Sequence, residues 1–289
     1  MSYEKEFKPI ETLKGDAAIY FNVPMSLIED TEMHSIRVSL FAYLSAYRGL
    51  NNKICFSIPM FLEWAGYKSD AHAGGINDKV IDTLDYLNAS GYIVYCGSRP
   101  ITRSSHFEIE FNRDLVYGLS WSESFAILYW DEVQKIMQYK NENHQDRYLN
   151  ANTVLLVFAF LRQAIFRLPN KLKPEERNPE GIANRRKRCI EAYNGNYKDI
   201  GAILGLSERT VSLAVKVLVQ LKLIVIAEPY HIQNEDGEFR TPDIIFANAY
   251  KRDGKELLTS GDEYALGEIK HKAEYLRSYF PTYHLRPTA

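Results

Sequence analysis

Six polar side chains between residues 208 and 220 lie outside the apolar stripe of a short predicted helix. They are Glu208, Arg209, Thr210, Ser212, Lys216 and Gln220. An arginine can donate two hydrogen bonds to one guanine, and serine or threonine hydroxyls can bond base edges or phosphate oxygens. Because the amino-terminal end of a helix also favours anions, this face suits the major groove of duplex DNA.

Two short helices joined by a sharp turn must position this face. Gly205 stands where the chain leaves the first helix, a position that glycine fills without the left-handed penalty. Leu206 fills the corner, and Ser207 can cap the second helix. Apolar residues at helical spacing predict the buried stripes, which are Ile200, Ile203 and Leu204 in the first helix and Val211, Val215 and Leu218 in the second.

A β-hairpin is predicted after the second helix, because the runs IVIAEP and PDIIFANAY flank a turn around Glu235-Asp236-Gly237. Helix, turn, helix and hairpin together resemble the winged helix-turn-helix family of DNA-binding domains. The resemblance implies a recognition helix from Ser207 to Leu221 and a wing, formed by the hairpin tip, along the phosphates or the minor groove. A helical pair of this pattern can also be a packing unit or a protein-binding surface.

A second copy of the pattern is predicted upstream. Aligning Ile76-Asn77-Asp78-Lys79 with Leu206-Ser207-Glu208-Arg209 brings Ile81 onto Val211. A one-residue slip then places Leu84, Leu87 and Ile93 on Val215, Leu218 and Ile224. Ser57 would cap the preceding helix, which would end at Gly66, and YIVYC and HFEIEF would form the hairpin.

The upstream copy departs from the family in its charges. Its helix face carries Asp78, Asp82 and Asp85 with Lys79 as the only cation, and such a face repels phosphate. Cations lie instead at the hairpin tip, as Arg99 and Arg103. We therefore expect the second unit to read sequence and the first to supply a wing contact, a dimer surface, or both; a solvated acidic face is the alternative.

The charge of the chain is unevenly distributed. The formal net charge is -2, yet residues 160–225 contain thirteen Lys and Arg against six Asp and Glu, whereas residues 20–115 contain eight against eleven. A basic footprint on one domain can bind phosphate while the rest stays acidic. The run from Arg185 to Arg188 is the densest part of that footprint, and it is expected to meet phosphates beside the groove or to form a solvated turn.

The sequence predicts a mainly α chain with small β-hairpins (α+β), in which a helical linker joins two winged helix-turn-helix domains. In the last segment, Leu266, Ile269, Ala273, Leu276 and Phe280 form a short heptad pattern, which predicts a helix docked on its own chain or, alternatively, paired with a second copy. The expected segments are an N-terminal extension 1–19, a first winged-helix-like domain 20–117, a helical bridge and charged Pro-containing loop 118–183, a second winged domain 184–250, and a C-terminal helix and tail 251–289.

No pattern of catalytic residues is found. The seven histidines are scattered, there is no glycine-rich phosphate loop, and the three cysteines lack metal or redox spacing. No segment has the apolar length of a secretory signal or a membrane span. We expect a non-enzymatic protein without metal or cofactor, not bound to membranes, in the bacterial cytoplasm with the nucleoid; any small-molecule effector is left open.

The function predicted from the sequence is specific binding of double-stranded DNA, with a homodimer as one option. The role would be that of a transcriptional regulator or of a replication-initiator-like protein of a bacterium or mobile element, since tandem winged units are similar to plasmid and phage initiators. The alternative is a protein-protein interaction module, for dimerisation or docking on replication machinery. The candidate DNA contacts are Ser207, Glu208, Arg209, Thr210, Ser212, Lys216, Gln220, Lys198, Arg185, Arg186, Lys187, Arg188, Arg240, Arg99 and Arg103.

Overall fold

The computed structural model describes most of the chain as helices and small antiparallel sheets, which confirms the α+β class. Within the described part, no helix is both long enough and apolar enough to cross a bilayer. The described residues are 20–48, 52–68, 72–96, 106–112, 124–139, 149–165, 190–230, 232–233, 239–240, 243–253, 256–260, 262–280 and 283–286.

The first half of the chain begins with a strand and a short helix and then forms a three-stranded sheet with three helices. The sheet has the spatial order β2-β4-β3, so the last strand lies between the other two. The elements are β1 (Tyr20–Pro24), α1 (Met25–Glu29), α2 (Ile36–Tyr47), β2 (Lys53–Ser57), α3 (Ile58–Trp64), α4 (Ile76–Ala89), β3 (Ile93–Cys96) and β4 (His106–Phe111).

The second half repeats this order of elements, and its sheet has the matching order β6-β10-β7. The short strands β8 (Ile232–Gln233) and β9 (Phe239–Arg240) extend the connection between β7 and β10. The repeated elements are β5 (Phe125–Tyr129), α5 (Trp130–Met137), α6 (Ala151–Ile165), β6 (Ala192–Gly195), α7 (Tyr197–Leu204), α8 (Glu208–Gln220), β7 (Ile224–Ala227) and β10 (Ile244–Asn248). A last hairpin and helix follow, as β11 (Tyr250–Asp253), β12 (Glu256–Ser260) and α9 (Asp262–Tyr279).

The burial pattern corrects the sequence alignment of the two copies. Val80, not Ile81, occupies the position of Val211, so the same offset holds through Leu84, Leu87 and Ile93, and all of these core residues are buried. The sequence alignment is shifted by one residue at this point because it pairs Asn77 with Ser207, the residue that caps α8. Asn77 lies inside α4, which starts at Ile76, and its side chain is buried.

The two halves share one hydrophobic core. Strands β1 and β5 pair antiparallel, with Asn22 opposite Ile127, the third residue of each five-residue strand, so the pairing has approximate two-fold symmetry. Helices α2 and α6 pack beside this pair. The Ser39 hydroxyl lies 2.5 Å from Asn152 Oδ1, and Asn152 Nδ2 donates to the Ala65 carbonyl at 3.3 Å.

Helix α6 falls in the segment that the sequence assigned to a bridge, yet it packs against α8, β6 and β10. Its residues are almost all buried, as the apolar run predicted. Since α6 stands where α2 stands in the first half, it is structurally the counterpart of α2 in the second repeat. Among the described residues, the packed core therefore continues from one half into the other.

A buried charged network fixes α5, α6 and β11 together. The Arg162 guanidinium contacts the Glu132 carboxylate, and the Tyr250 hydroxyl donates to Glu132 Oε1 at 2.6 Å. The other carboxylate oxygen accepts from the Tyr129 amide at 3.3 Å. Burial lowers the pKa of Arg162, but attraction to Glu132 and the neighbouring hydroxyls outweighs it, so the net pKa is raised and the guanidinium stays charged.

Helix α9 docks on its own chain, as one of the two sequence alternatives predicted. Four side chains of α9 are buried against the sheet of the second half, namely Ala265, Ile269, Ala273 and Leu276. On the sheet, they pack with Ala192, Ala227, Ile245 and Ala247. Leu266 and Phe280, which the heptad pattern placed in the seam, are 40% and 61% exposed. Ala265 takes the inward position instead and is fully buried, against a sheet surface that is mostly alanine.

Replacing Arg162 tests the buried network. Arg162→Leu leaves Glu132 charged and without its guanidinium in the core, which should lower the free energy of unfolding by about 3–5 kcal/mol. Adding Glu132→Gln removes the stranded charge and should restore part of that loss, as measured by urea unfolding. Losses that simply add in the double variant would contradict the coupling.

The turn between α7 and α8 allows a glycine test with a matched control. A Cβ on Gly201 would lie 2.5 Å from the Leu206 carbonyl oxygen, whereas a Cβ on Gly267 of α9 would meet nothing within 4 Å. Gly201→Ala should therefore destabilise the protein by about 1–3 kcal/mol. Gly267→Ala should be neutral or stabilising by up to about 1 kcal/mol, as helix propensity alone dictates. Equal effects in thermal unfolding would contradict this packing.

Candidate nucleic-acid interface

The amino-terminal end of α8 is built as the sequence predicts. Ser207 Oγ accepts a hydrogen bond from the Thr210 amide at 3.1 Å and lies 2.8 Å from the Thr210 hydroxyl. Gly205 precedes this cap with a φ of 68°, the left-handed conformation that glycine tolerates best. The hydroxyls of Ser207 and Thr210 thus hold the start of the helix, and Glu208 in the first turn complements the helix dipole.

The underside of α8 determines which side chains face solvent. Val211, Ala214, Val215 and Leu218 are fully buried, as the stripe predicted for the three aliphatic residues. With about 100° between successive residues, the opposite side of the helix is centred on the line through residues 209, 212, 216 and 220.

Three residues of that line, Arg209, Lys216 and Gln220, are exposed, and Ser212 is half-buried. At about 1.5 Å per residue, the line is roughly 16 Å long, which suits a helix that follows a major groove for a few base pairs. We call these four residues the polar stripe of α8.

The carboxyl end of α8 meets α5. Gln220 Oε1 accepts a hydrogen bond from the Tyr139 hydroxyl at 3.3 Å. Burial lowers the pKa of Lys135 and repulsion from Lys222 lowers it further, whereas Asp131 and Glu132 raise it. Lys222, two residues after Gln220, is exposed and adds a cation at this end of the polar stripe, where it can attract phosphate.

The start of α7 is occupied by the protein's own carboxylates. Asn196 Oδ1 caps the helix by accepting from the Asp199 amide at 2.8 Å, and Asn196 Nδ2 donates to Asp199 at 2.8 Å and to Asp243 at 3.1 Å. Two carboxylates therefore stand where a helix would otherwise favour an external anion. Lys198, in the same turn, is exposed and remains the available cation there.

Helix α7 differs from its prediction at one position. Ile203, expected in the buried stripe, is 36% exposed, whereas Ile200 and Leu204 are buried. The reason is that this eight-residue helix packs along one narrow side formed by Ile200, Gly201 and Leu204.

The corresponding helix of the first half uses its aspartates locally. Asp78 accepts a hydrogen bond from the Gly74 amide at 2.7 Å, and Asp85 accepts from the Tyr95 hydroxyl at 3.3 Å. Asp82 is exposed. Two of the three acidic residues therefore stabilise the start of α4 and its contact with β3.

One loop, residues 30–35, lies beside both helix starts. A Cβ on Gly205 would lie 3.2 Å from the Thr31 Cβ, and the charge of Lys79 on α4 is close enough to lower the pKa of His34. Arg37 holds this loop through hydrogen bonds of 2.7 Å to the carbonyls of Leu27, Ile28 and Met33. The start of α4 and the turn before α8 therefore flank the same loop.

The structure places eight of the predicted contact residues together around α7 and α8: Lys198, Ser207, Glu208, Arg209, Thr210, Ser212, Lys216 and Gln220. Arg240 lies in β9, in the connection between β7 and β10 and outside the helix pair. The remaining predictions, Arg99, Arg103, Arg185, Arg186, Lys187 and Arg188, lie outside the described residues, as does the turn around Glu235-Asp236-Gly237.

Sequence reasoning missed Lys135, Tyr139 and Lys222 at the carboxyl end of α8. Lys222 follows the helix directly and could have been included from its proximity to Gln220. Lys135 and Tyr139 join the site through a contact across about eighty residues of chain, for which a single sequence carries no signal.

Among the described residues, no group of three or more His, Cys, Asp and Glu side chains could hold a metal ion. A scan against protein-family models, a search of curated protein sequences and a search of solved structures each gave no match for this chain.

The loop histidine predicts a pH dependence. Burial, followed by the charges of Lys79 and Arg37, lowers the pKa of His34 to about 4. The unfolded chain protonates this histidine near its ordinary pKa of about 6.5, so the unfolded state binds more protons and stability should fall as pH drops from about 6.5 to about 4. Urea unfolding should show a shallower fall for His34→Gln over this window; parallel curves would contradict the assignment.

Proposed function

We propose that this protein binds double-stranded DNA in a sequence-dependent way through α8, as the recognition helix of a winged helix-turn-helix unit. The observation that carries the proposal is the polar stripe of α8, in which exposed Arg209 and Lys216 stand opposite a fully buried aliphatic underside. Both cations lie on the exposed side of the helix, from which they can reach bases or phosphates.

The order of elements supports the same proposal. Among the described residues of 151–248, α6 and β6 precede the helix pair, and β7 and β10 follow it in the same sheet, with β10 in the centre. This arrangement agrees with the resemblance drawn from the sequence, because a winged unit needs a hairpin directly after its recognition helix. The connection between β7 and β10, extended by β8 and β9, would be the wing.

We propose that the first half, with its matching order of elements, is a second winged unit. Its α4 carries acidic residues that serve local hydrogen bonds, so it is less suited to phosphate than α8. The tandem arrangement favours a replication-initiator-like protein or a transcriptional regulator of a bacterium or mobile element. In either role the protein would lie with the nucleoid and need no cofactor.

Selection from a random duplex library tests the reader role directly. The full-length protein should enrich a defined sequence, and Arg209→Ala should weaken the selected site by about 1–3 kcal/mol while relaxing the choice at one base pair. Affinities would be measured by fluorescence anisotropy at one fixed salt concentration.

Lys270→Ala is the matched control, because Lys270 is an exposed cation on α9, which docks on the sheet rather than on the helix pair. Its affinity and base preference should equal those of the wild type. No enriched sequence, or an equal loss in Arg209→Ala and Lys270→Ala, would overturn the reader role and favour a protein-protein module.

A further inference from the structure

A cleft in the first half has no part in the proposed DNA contact. It lies between α2, β2 and α3, has a volume of about 630 Å³ and is lined by Tyr43, Tyr47, Lys53, Ile54, Cys55, Met60, Glu63 and Trp64. Two of its apolar side chains, Tyr47 and Met60, are 50% and 52% exposed. A volume of this size is typical of pockets that enclose drug-sized molecules, so it can hold one or two aromatic side chains.

The wall of this cleft is held by aromatic packing. Trp64 stacks on Trp130 of α5, with ring centroids 5.6 Å apart and planes at 12°, and Tyr43 lies 5.2 Å from Trp64. Because these rings are fixed from behind, the cleft is formed before any partner arrives. Pre-formed apolar sites lose less entropy on binding than sites that must be ordered.

A second exposed apolar surface, the C-terminal patch, lies at the end of α9. It consists of Tyr275, Tyr279 and Phe280, which are 50%, 65% and 61% exposed. The rings of Tyr275 and Tyr279 are 5.2 Å apart in an edge-to-face arrangement, and the Lys272 ammonium lies 5.6 Å from the Tyr275 ring. Since Lys272 covers one ring face and the two rings are not parallel, this patch suits an apolar socket better than stacked bases.

The two surfaces carry opposite charges. Glu63 is exposed at the cleft. On the adjacent strand β4, Glu108 and Glu110 lie beside the Lys53 ammonium, so the carboxylates outnumber the cation here. The last three turns of α9 carry Lys270, His271, Lys272 and Arg277 against Glu274. Charge complementarity of this kind directs two surfaces toward each other and fixes their register.

We propose that the C-terminal patch of one copy of this chain binds the first-half cleft of a second copy, head to tail. Tyr279 and Phe280 enter the cleft beside Tyr47 and Met60, and Arg277 lies against Glu63. In this head-to-tail arrangement the contact is heterologous and leaves a free patch and a free cleft at the two ends, so further copies can add. The contact forms without DNA.

Sedimentation velocity on the full-length protein over a wide concentration range tests this contact. The average mass should rise with concentration for the wild type. Glu63→Arg and Arg277→Glu should each weaken the association by about tenfold or more, since each places like charges opposite one another. Phe280→Ala should weaken it as well, and thermal unfolding should be unchanged because all three side chains are exposed.

Charge exchange tests whether the patch meets the cleft, as opposed to each surface pairing with its own kind. The double variant Glu63→Arg/Arg277→Glu should regain association, and so should an equal mixture of the two single variants, because the unchanged patch of one fits the unchanged cleft of the other. Glu29→Arg, an exposed charge reversal on α1, is the matched control and should associate as the wild type does.

Three results would overturn the proposal. The wild type could stay monomeric at every concentration. Association could respond to only one of the two charge reversals, which would mean that this surface pairs with itself or with a different one. The double variant and the mixture could both fail to regain association, in which case the two surfaces do not meet.

Discussion

The burial of the aliphatic underside of α8 is the constraint on which the site depends. Val211, Val215 and Leu218 are fully buried, and burying each such side chain contributes about 1.5–3 kcal/mol. Any rotation of the helix that covered Arg209 or Lys216 would bring these residues into water. The core thus fixes the direction of the polar stripe, and the capping by Ser207 fixes where the helix starts.

The second repeat is in turn held by the first. The pairing of β1 with β5 and the packing of α2 on α6 join the halves into a common core. The loop between α1 and α2 lies beside the turn before α8, and its His34 feels the charge of Lys79 at the start of α4. A substitution in the core of one half would therefore affect the packing of the helix pair in the other half.

The parts of the fold that could be predicted from the sequence are local. Gly205, the caps at Ser57 and Ser207, and the aliphatic stripe of α8 depend on contacts within a few residues, and all are confirmed. The pairing of β1 with β5, the place of α6 in the second half and the contact of Tyr139 with Gln220 join segments far apart in the chain, so no local pattern indicates them. The one-residue shift in the alignment at Asn77 also comes from a non-local contact. An asparagine that is buried in the core cannot be told, from the sequence, from one that caps a helix.

The salt dependence of duplex binding is the most direct measurement of DNA binding through α8, because it counts the phosphates that the protein neutralises. If α8 binds the duplex, the logarithm of the affinity falls linearly and steeply with the logarithm of salt concentration, and Lys216→Ala reduces the slope by about one. A slope near zero for the wild type, or an identical slope for Lys216→Ala, would contradict the assignment of α8 as the DNA-binding surface.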